Sequence, residues 1–113
     1  MSWEIRYLPE VLEDFRALDG RQRILVRKAI EKVRKNPLPE TEGGYGKWLG
    51  NKGASKLSGF LKIKLRGAGL RIVYQLVRNA NHMVLVVIGV REDDAVYEIA
   101  HHRIAKHDLQ GKQ

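Results

Sequence analysis

Lys62-Ile-Lys-Leu-Arg-Gly-Ala-Gly-Leu-Arg-Ile-Val-Tyr-Gln75 is the stretch that decides the fold. Cationic and aliphatic residues alternate from Lys62 to Arg66, and successive side chains of a strand point to opposite faces. The Gly-Ala-Gly sequence at 67–69 supplies a turn, because glycine adopts the positive φ that tight hairpins need. The stretch therefore predicts a β-hairpin with one cationic face and one apolar face.

The turn also predicts a register for the hairpin. With Ala68 and Gly69 as a two-residue loop, Arg66 lies opposite Arg71. One face then carries Lys62, Lys64, Arg66 and Arg71, and the other carries Ile63, Leu65, Ile72, Tyr74 and Leu76. Like charges at this spacing repel one another unless an anion lies across them. A solvated outer face is the alternative interpretation, because alternating strands commonly have one polar side.

The charge distribution favours an anion-binding face. The chain of 113 residues carries 21 Lys and Arg against 13 Asp and Glu, a formal net charge of +8, and its pI is about 10.0. No acidic residue occurs between Gly43 and Arg91, a span that contains nine cations. A one-sided basic patch is typical of polyanion-binding proteins, with nucleic acid as the first expectation and an acidic protein as the second.

Composition narrows the class of protein further. The length predicts one domain over residues 1–113, with residues 107–113 as a flexible tail. The absence of cysteine excludes disulfides and thiolate metal sites. We find no signal pattern, long apolar run or basic amphipathic helix, so a cytoplasmic protein with no membrane partner is expected. The histidines at 101, 102 and 107 miss the i, i+4 spacing of helical metal ligands, and no metal or other cofactor is expected.

Hydrophobic periodicity predicts an α+β fold in the order β-α-α-β-β-β-α. Residues 2–7 form an N-terminal strand with one buried face, which includes Tyr7. An αα-hairpin follows, in which Pro9 occupies the first position of one helix and residues 21–35 form the other. The residues predicted to face inward are Val11, Leu12, Phe15 and Leu18 in the first helix, and Ile24, Leu25, Ala29, Ile30 and Val33 in the second.

The remaining elements complete an antiparallel sheet of about four strands with the helices on one side. Residues 40–59 are glycine-rich and predict a loop, with a short strand near residues 55–57 and Trp48 as a core anchor. Residues 82–90 are almost wholly apolar and predict an inner strand covered on both faces. Asp93 or Asp94 caps a C-terminal helix that turns Val96, Ile99, Ala100 and Ile104 inward.

Four segments resemble the RelE group of the RelE/ParE superfamily, which comprises toxins of bacterial type II toxin–antitoxin systems. They are Lys62–Arg66, Arg71–Gln75, Gly89–Glu92 and Val96-Tyr97. The resemblance implies a RelE-like domain and a ribosome-dependent endoribonuclease, or mRNA interferase, that inhibits translation. Such toxins cut messenger RNA in the ribosomal A site by metal-independent attack of the 2′-hydroxyl. The partners implied are an acidic antitoxin, messenger RNA and the ribosome with its 16S rRNA. The glycine-rich residues 43–54 resemble an insertion of open function.

The resemblance also implies roles for individual residues. Lys62 would stabilise the transition state, and Lys64 would be the general base. Arg66 and Arg71 would lie near the scissile phosphate. Arg91 would lie at the leaving oxygen, and Tyr97 would stack on or orient a base. The expected RNA-binding residues are Arg66, Lys56, Lys52 and His101, and some family members use a C-terminal histidine in catalysis.

The residue types suit that chemistry. Cleavage by the 2′-hydroxyl needs a base, charge stabilisation on the phosphorane and a donor to the leaving oxygen. A free lysine is a poor base at a pKa of about 10.4, but neighbouring cations disfavour its charged form, and Lys64 lies between Lys62 and Arg66. The guanidinium groups of Arg66 and Arg71 suit phosphate. Because arginine does not readily deprotonate, Arg91 is expected to donate a hydrogen bond, and the proton source stays open.

Two other functions remain open from the sequence. ParE-like relatives poison DNA gyrase and share the fold, although they generally lack the full set of cations with the tyrosine. A non-catalytic nucleic-acid-binding module is the second alternative. For Tyr97, packing of the last helix is the alternative role.

Overall fold

A five-stranded mixed sheet organises the described part of this computed structural model, residues 3–49, 59–90 and 93–109. The elements are β1 (Glu4–Tyr7), α1 (Pro9–Arg16), α2 (Gly20–Val33), β2 (Lys47–Trp48), β3 (Phe60–Leu65), β4 (Leu70–Val77), β5 (His82–Val90) and α3 (Asp93–Lys106). The strand order is β1-β5-β4-β3-β2. β1 runs parallel to β5 and the other pairs are antiparallel. The predicted α+β class and element types are confirmed, with β2 as an additional strand.

The hairpin of β3 and β4 pairs two residues away from the predicted register. Lys64 lies opposite Arg71 and Leu65 opposite Leu70. The connection therefore spans four residues, 66–69, with a 3₁₀ turn at Arg66–Ala68 and Gly69 at φ 65°. The predicted Arg66–Arg71 pair is wrong, and Arg66 lies in the turn. Strand side chains alternate between the faces with a period of two, so a register shift of two residues leaves Lys64 and Arg71 on the face that was predicted for them.

β5 is an inner strand, as its apolar run predicts. It pairs with β1 on one side and β4 on the other. Met83 and Val86 are fully buried, as are Val73 and Tyr74 of β4. A β-bulge between β4 and β5 lies at the Val73–Tyr74 step. These two strands form the centre of the core because apolar residues cover both of their faces.

The helices lie on both faces of the sheet, which corrects the expectation that all of them share one side. α2 packs on the face of β3 and β4 that carries Ile63 and Tyr74, and the Tyr74 hydroxyl donates to the Pro37 carbonyl just after α2 (2.6 Å). α3 packs on the opposite face, where a Cβ on Gly89 would lie 3.1 Å from the Val96 side chain. The absence of a side chain at Gly89 lets α3 approach the sheet closely.

Periodicity placed several apolar residues incorrectly. Five that were predicted to be buried are exposed by 41–54%: Tyr7, Leu12, Ile24, Trp48 and Ile99. In α2 the fully buried residue is Val26, which shares a stripe with Val33 seven positions later, and Ile24 lies on the other side of the helix. Beside Trp48, Leu49 is buried instead. The predicted short strand at 55–57 lies outside the described residues.

An ion pair between α1 and α3 closes the sheet where β1 ends. β1 pairs with β5 only as far as Leu85. Beyond it the Asp14 carboxylate accepts from the Ile88 amide (3.0 Å), and Arg103 donates to the Val86 carbonyl (3.0 Å). Arg103 and Asp14 also bind each other through two hydrogen bonds (2.6 and 3.0 Å). The pair therefore satisfies edge groups of β5 that a longer β1 would have paired.

Residues 107–109, which the sequence assigned to a flexible tail, make specific contacts. The His107 ring nitrogen lies 3.0 Å from a Glu10 carboxylate oxygen. The buried Gln75 amide donates to the Leu109 carbonyl (3.0 Å), and Leu109 packs against the core. Residues 110–113 of the predicted tail lie outside the described part. None of the helices described is long and apolar enough to cross a membrane.

Candidate active site

Strand register brings four cations together on the α3 face of the sheet. Lys64 lies opposite Arg71 across β3 and β4, and Lys47 lies opposite Lys62 across β2 and β3. Directly paired residues share a face and lie close to each other. We refer to Lys47, Lys62, Lys64 and Arg71 as the cationic cluster. Its assembly depends on three strands, although the alternation within β3 alone already aligns two of its members.

Tyr97 of α3 joins the cationic cluster from above the sheet. Its hydroxyl oxygen accepts a hydrogen bond from the Lys62 ammonium (2.8 Å) and one from the Arg71 guanidinium (3.4 Å). The Lys62 nitrogen also lies 5.4 Å from the centre of the Tyr97 ring. This distance nearly equals the sum of two shorter ones, from the ring centre to the hydroxyl oxygen and from that oxygen to the nitrogen. The Lys62 nitrogen therefore lies beyond the hydroxyl, at the edge of the ring. The contact is therefore a hydrogen bond and not a cation–π interaction over the ring face.

Arg71 is held inside the site. Only 7% of its surface is exposed, although the sequence placed it on an open face. Its neighbour across β4 and β5 is Gly89, where α3 approaches the sheet closely, and its guanidinium donates to the Tyr97 hydroxyl of that helix. A buried guanidinium presents its donors in a fixed geometry, which suits repeated recognition of one phosphate position.

The pKa of the Lys64 ammonium is lowered by its surroundings. The positive charge of Lys62 is the largest cause, followed by partial burial and then by the charges of Arg71, Lys47 and Arg66. Each neighbouring cation raises the free energy of the protonated lysine. A larger fraction of Lys64 is therefore neutral at a given pH than for an isolated lysine, and its nitrogen lone pair can accept a proton.

A cavity of about 310 Å³ adjoins Lys64 and Arg71. Lys64, Leu65, Arg66, Leu70 and Arg71 line it. Three cations and two leucines form a site that attracts an anion and limits its hydration, so charge interactions within it are stronger than in open water. We call this the phosphate cavity. Arg66 reaches it from the turn and not from the strand.

The predicted site residues divide into three groups. Lys62, Lys64, Arg71 and Tyr97 meet at one place, and Arg66 lies at its margin. His101 is exposed on α3, one helical turn after Tyr97. The other three, Arg91, Lys52 and Lys56, lie outside the described residues.

Lys47 is a member of the cluster that sequence reasoning missed. It belongs to a strand of two residues, Lys47–Trp48, inside a glycine-rich segment. Two residues are too few to show the alternation that identifies a strand. The one sequence feature that could have indicated Lys47 is its place in the span without acidic residues. Within the described ranges no group of three His, Asp or Glu side chains is placed to hold a metal ion.

The sequence of this chain is similar to those of RelE toxins. No protein-family model matches the chain. A RelE-like toxin protein of Escherichia coli is 28% identical over 108 residues, which cover 92% of this chain and 99% of that protein. The mRNA interferase toxin RelE of Escherichia coli K12 is 29% identical over 107 residues, with the same coverage. The resemblance predicted from the segments around the hairpin is confirmed.

Solved structures agree with the sequence relatives. A mutant of the E. coli toxin RelE in the free state superposes with a TM-score of 0.71 at 25% identity, over 92% of this chain and 99% of that one. The mutant toxin in complex with a peptide of the antitoxin RelB gives a TM-score of 0.66 at 25% identity, over 88% and 95% of the two chains. The similarity in sequence and in fold therefore extends over most of the molecule.

Proposed function

We propose that this RelE-like chain is the toxin of a type II toxin–antitoxin system and that it inhibits translation by cutting messenger RNA on the ribosome. The similarity to an mRNA interferase toxin over 92% of the chain supports the class of activity. The observation that carries the proposal is Lys64, a lysine of lowered pKa directly opposite Arg71 and beside the phosphate cavity. A base next to phosphate-binding cations is what RNA self-cleavage requires.

In the proposed reaction, neutral Lys64 removes the proton from the 2′-hydroxyl of the nucleotide before the scissile bond. The 2′ oxygen attacks the adjacent phosphorus, and the bond from phosphorus to the 5′ oxygen breaks. One fragment ends in a cyclic phosphate, and the other begins with a 5′-hydroxyl after that oxygen takes up a proton. Arg71 and Lys62 stabilise the negative charge that develops on the phosphorane. The proposed steps use no metal.

The Tyr97 hydroxyl is proposed to hold Lys62 and Arg71 in position. It accepts hydrogen bonds from both cations, which keeps two like charges at a fixed separation. Hydrogen-bond donors that are already in position need not rearrange when negative charge develops on the phosphorane. Stacking of a base on the ring is an additional contribution expected from the family resemblance. Arg91, which lies outside the described residues, is assigned to the leaving oxygen on the same basis.

The ribosome is proposed to supply the orientation that the toxin lacks. Cations and leucines are the described residues that line the phosphate cavity, and none of them carries a carboxylate that could direct a 2′-hydroxyl. Cations hold a phosphate backbone without fixing which bond lies in line for attack. A messenger held in the A site presents one phosphate in a defined conformation. The toxin would therefore act in the cytoplasm.

An acidic antitoxin is the proposed protein partner. The structure similar at 25% identity contains a toxin bound to a peptide of its antitoxin. The cationic cluster and the net charge of +8 favour a partner of opposite charge. Binding over the cluster would neutralise the toxin.

Primer-extension mapping of a messenger in a purified translation mixture tests the proposal. Cuts in phase with codons, dependent on the protein and on ribosomes, are expected. Efficient cutting of naked RNA would refute the ribosome requirement. Intact messenger together with inhibited DNA supercoiling would support a gyrase inhibitor. RNA binding without either effect would support a non-catalytic module.

A further inference from the structure

A second cavity, of about 280 Å³, lies between α2 and the outer edge of β3. β2 pairs with Leu61 and Lys62, and the cavity opens beyond that point along Ile63–Leu65. The lining residues are Ala29, Lys32, Val33, Glu40, Tyr45, Lys47, Lys62, Ile63, Lys64, Leu65 and Arg66. Its volume is near the lower limit of about 300 Å³ for small-molecule pockets, so one nucleotide is a suitable size of occupant.

The lining combines positive charge with an aromatic ring. Five of the lining residues are cations and one, Glu40, is a carboxylate. Tyr45 is 46% exposed, and the Lys32 ammonium lies 5.0 Å from its ring centre. Cations beside an exposed aromatic ring are the usual features of single-stranded nucleic acid sites, where the ring stacks on a base and the cations contact phosphate.

The backbone that carries Tyr45 is held in place by hydrogen bonds. The Tyr45 amide donates to the Asn36 carbonyl (3.1 Å), and the Gly46 amide donates to the Leu38 carbonyl (3.0 Å). Gly46 is packed so closely that a Cβ there would clash with the Tyr74 hydroxyl. The ring is thus exposed on a fixed loop, which lowers the entropy cost of stacking a ligand on it.

This second cavity lies next to the phosphate cavity. Lys64, Leu65 and Arg66 line both. A strand whose scissile phosphate lies between Lys64 and Arg71 would therefore place its neighbouring nucleotide along the β3 edge. The cations of α2 and β2 then extend the contact beyond the reacting bond.

We infer that the cavity between α2 and β3 binds the nucleotide adjacent to the scissile phosphate, with its base against Tyr45 and its phosphate between Lys32 and Lys47. The inference rests on the proposed function, because it extends the same strand of RNA. It assigns RNA-binding roles to Tyr45, Lys32 and Lys47, which take no part in the proposed reaction steps.

Single-turnover cleavage on programmed ribosomes tests these roles. Tyr45→Ala is expected to raise the half-saturating toxin concentration about 10-fold through loss of base stacking, with the maximal rate within about twofold of the parent. Tyr45→Phe should restore the parent value, since phenylalanine also stacks. Lys32→Gln should raise the half-saturating concentration by a smaller factor.

Two matched variants serve as controls. Tyr7→Ala removes a tyrosine of similar exposure from β1, at the opposite edge of the sheet. Lys35→Gln removes an exposed cation three residues after Lys32 that does not line the cavity. Both should behave as the parent. The inference is overturned if Tyr45→Ala matches Tyr7→Ala, or if Tyr45→Ala lowers the maximal rate at an unchanged half-saturating concentration.

A binding assay separates this inference from the proposed function. Fluorescence anisotropy with labelled all-deoxy oligonucleotides, which lack the attacking 2′-hydroxyl, measures affinity without cleavage. Affinity should rise as the oligonucleotide is lengthened from two to four nucleotides, and Tyr45→Ala should lose that gain. If the parent cuts no messenger but shows this gain and its loss, the proposed function fails and the nucleotide site stands. If lengthening has the same effect in Tyr45→Ala as in the parent, the site is overturned.

Discussion

Lys64 combines partial exposure with a lowered pKa because other cations surround its ammonium group. Lys62 has the largest effect, and Arg71 and Lys47 add to it. This crowding works against stability, since the charged form of Lys64 is repelled by its neighbours. A residue that costs stability and lies beside the phosphate cavity is a candidate for catalysis, because function is the usual reason to retain it.

Lys64→Ala is expected to lower single-turnover cleavage by about 100-fold or more, because it removes the proposed base. The melting temperature should stay the same or rise, since repulsion with Lys62 is relieved. Messenger cleavage in the translation mixture and thermal melting measure the two effects. Cleavage at the parent rate by a folded variant would remove Lys64 from the mechanism.

Tyr97→Phe separates the hydroxyl from the ring. The hydroxyl receives hydrogen bonds from Lys62 and Arg71, and a hydrogen bond to a charged group contributes about 1.5–3 kcal/mol. We expect the maximal cleavage rate to fall about 10-fold or more, with little change in the half-saturating toxin concentration. A variant that cuts as fast as the parent would show that the ring alone is needed, as base stacking requires.

At the scale of elements, α1 and α3 are joined by ionic contacts at the edge of β5. The side chains of Asp14 and Arg103 are each 14% exposed and also bind backbone groups of β5. Such a pair differs from the exposed Arg16–Glu13 contact, whose side chains are 71% and 76% exposed. Removal of the Asp14 carboxylate would leave the charge of the partly buried Arg103 without a counterion.

Asp14→Asn should therefore reduce the free energy of unfolding by about 3 kcal/mol. Glu13→Gln, one residue earlier in the same helix, breaks only the exposed pair and should change it by less than about 1 kcal/mol. Urea unfolding followed by circular dichroism compares the two variants. Equal effects would contradict the assignment of the Asp14–Arg103 pair to the closure of the sheet edge.

A second contact between α1 and α3 should depend on pH. Hydrogen bonds from Lys106, from backbone and from His107 lower the pKa of Glu10 from 4.5 to about 2. A carboxyl group whose pKa is lowered in the folded state stabilises the protein above its unfolded pKa, and this contribution disappears as pH falls through the folded value. Thermal melts should show Glu10→Gln less stable than the parent at pH 7, with most of this difference lost near pH 2. A difference that persists unchanged at pH 2 would contradict the ionic origin of the contact.

At the scale of the whole molecule, charge is distributed unevenly. The acid-free span between Gly43 and Arg91 supplies β3 and β4, and therefore most of the cationic cluster. α1 carries the carboxylates of Glu10 and Asp14, which bind the α3 cations Lys106 and Arg103. Repulsion is thus concentrated on one side, where a polyanion would relieve it.

Binding to ribosomes should for this reason depend steeply on salt. If the protein contacts six or more phosphates, its affinity should fall by about 1,000-fold as salt rises from 50 to 200 mM, because counterion release then contributes less. Sedimentation of the Lys64→Ala variant with ribosomes across that range measures the slope without cleavage. A flat response would remove the argument from the basic patch.

The sequence by itself determined which residues could form the site on β3 and β4. Alternation in residues 62–66 places Lys62 and Lys64 on one face whatever the register, because strand side chains have a period of two. The observed two-residue slip changed the partner of Arg71 from Arg66 to Lys64 and left its face unchanged. Much of the lowered pKa of Lys64 follows from the same local pattern, since Lys62, the cation with the largest effect, is two residues away.

Only the tertiary structure decided what covers that face. Tyr97 is 35 residues from Lys62 in the chain, and no local pattern shows that α3 returns over the cations. Periodicity describes the spacing of apolar residues in α2 but not which stripe meets the sheet, so Val26 was overlooked and Ile24 misplaced. Arg71 lies beside Gly89 of the neighbouring strand, and the absence of a side chain at Gly89 lets α3 approach the sheet there. Contacts between distant segments depend on how whole elements pack, and this is why the sequence predicted several of the residues that meet here, but neither Lys47 nor the arrangement of the group.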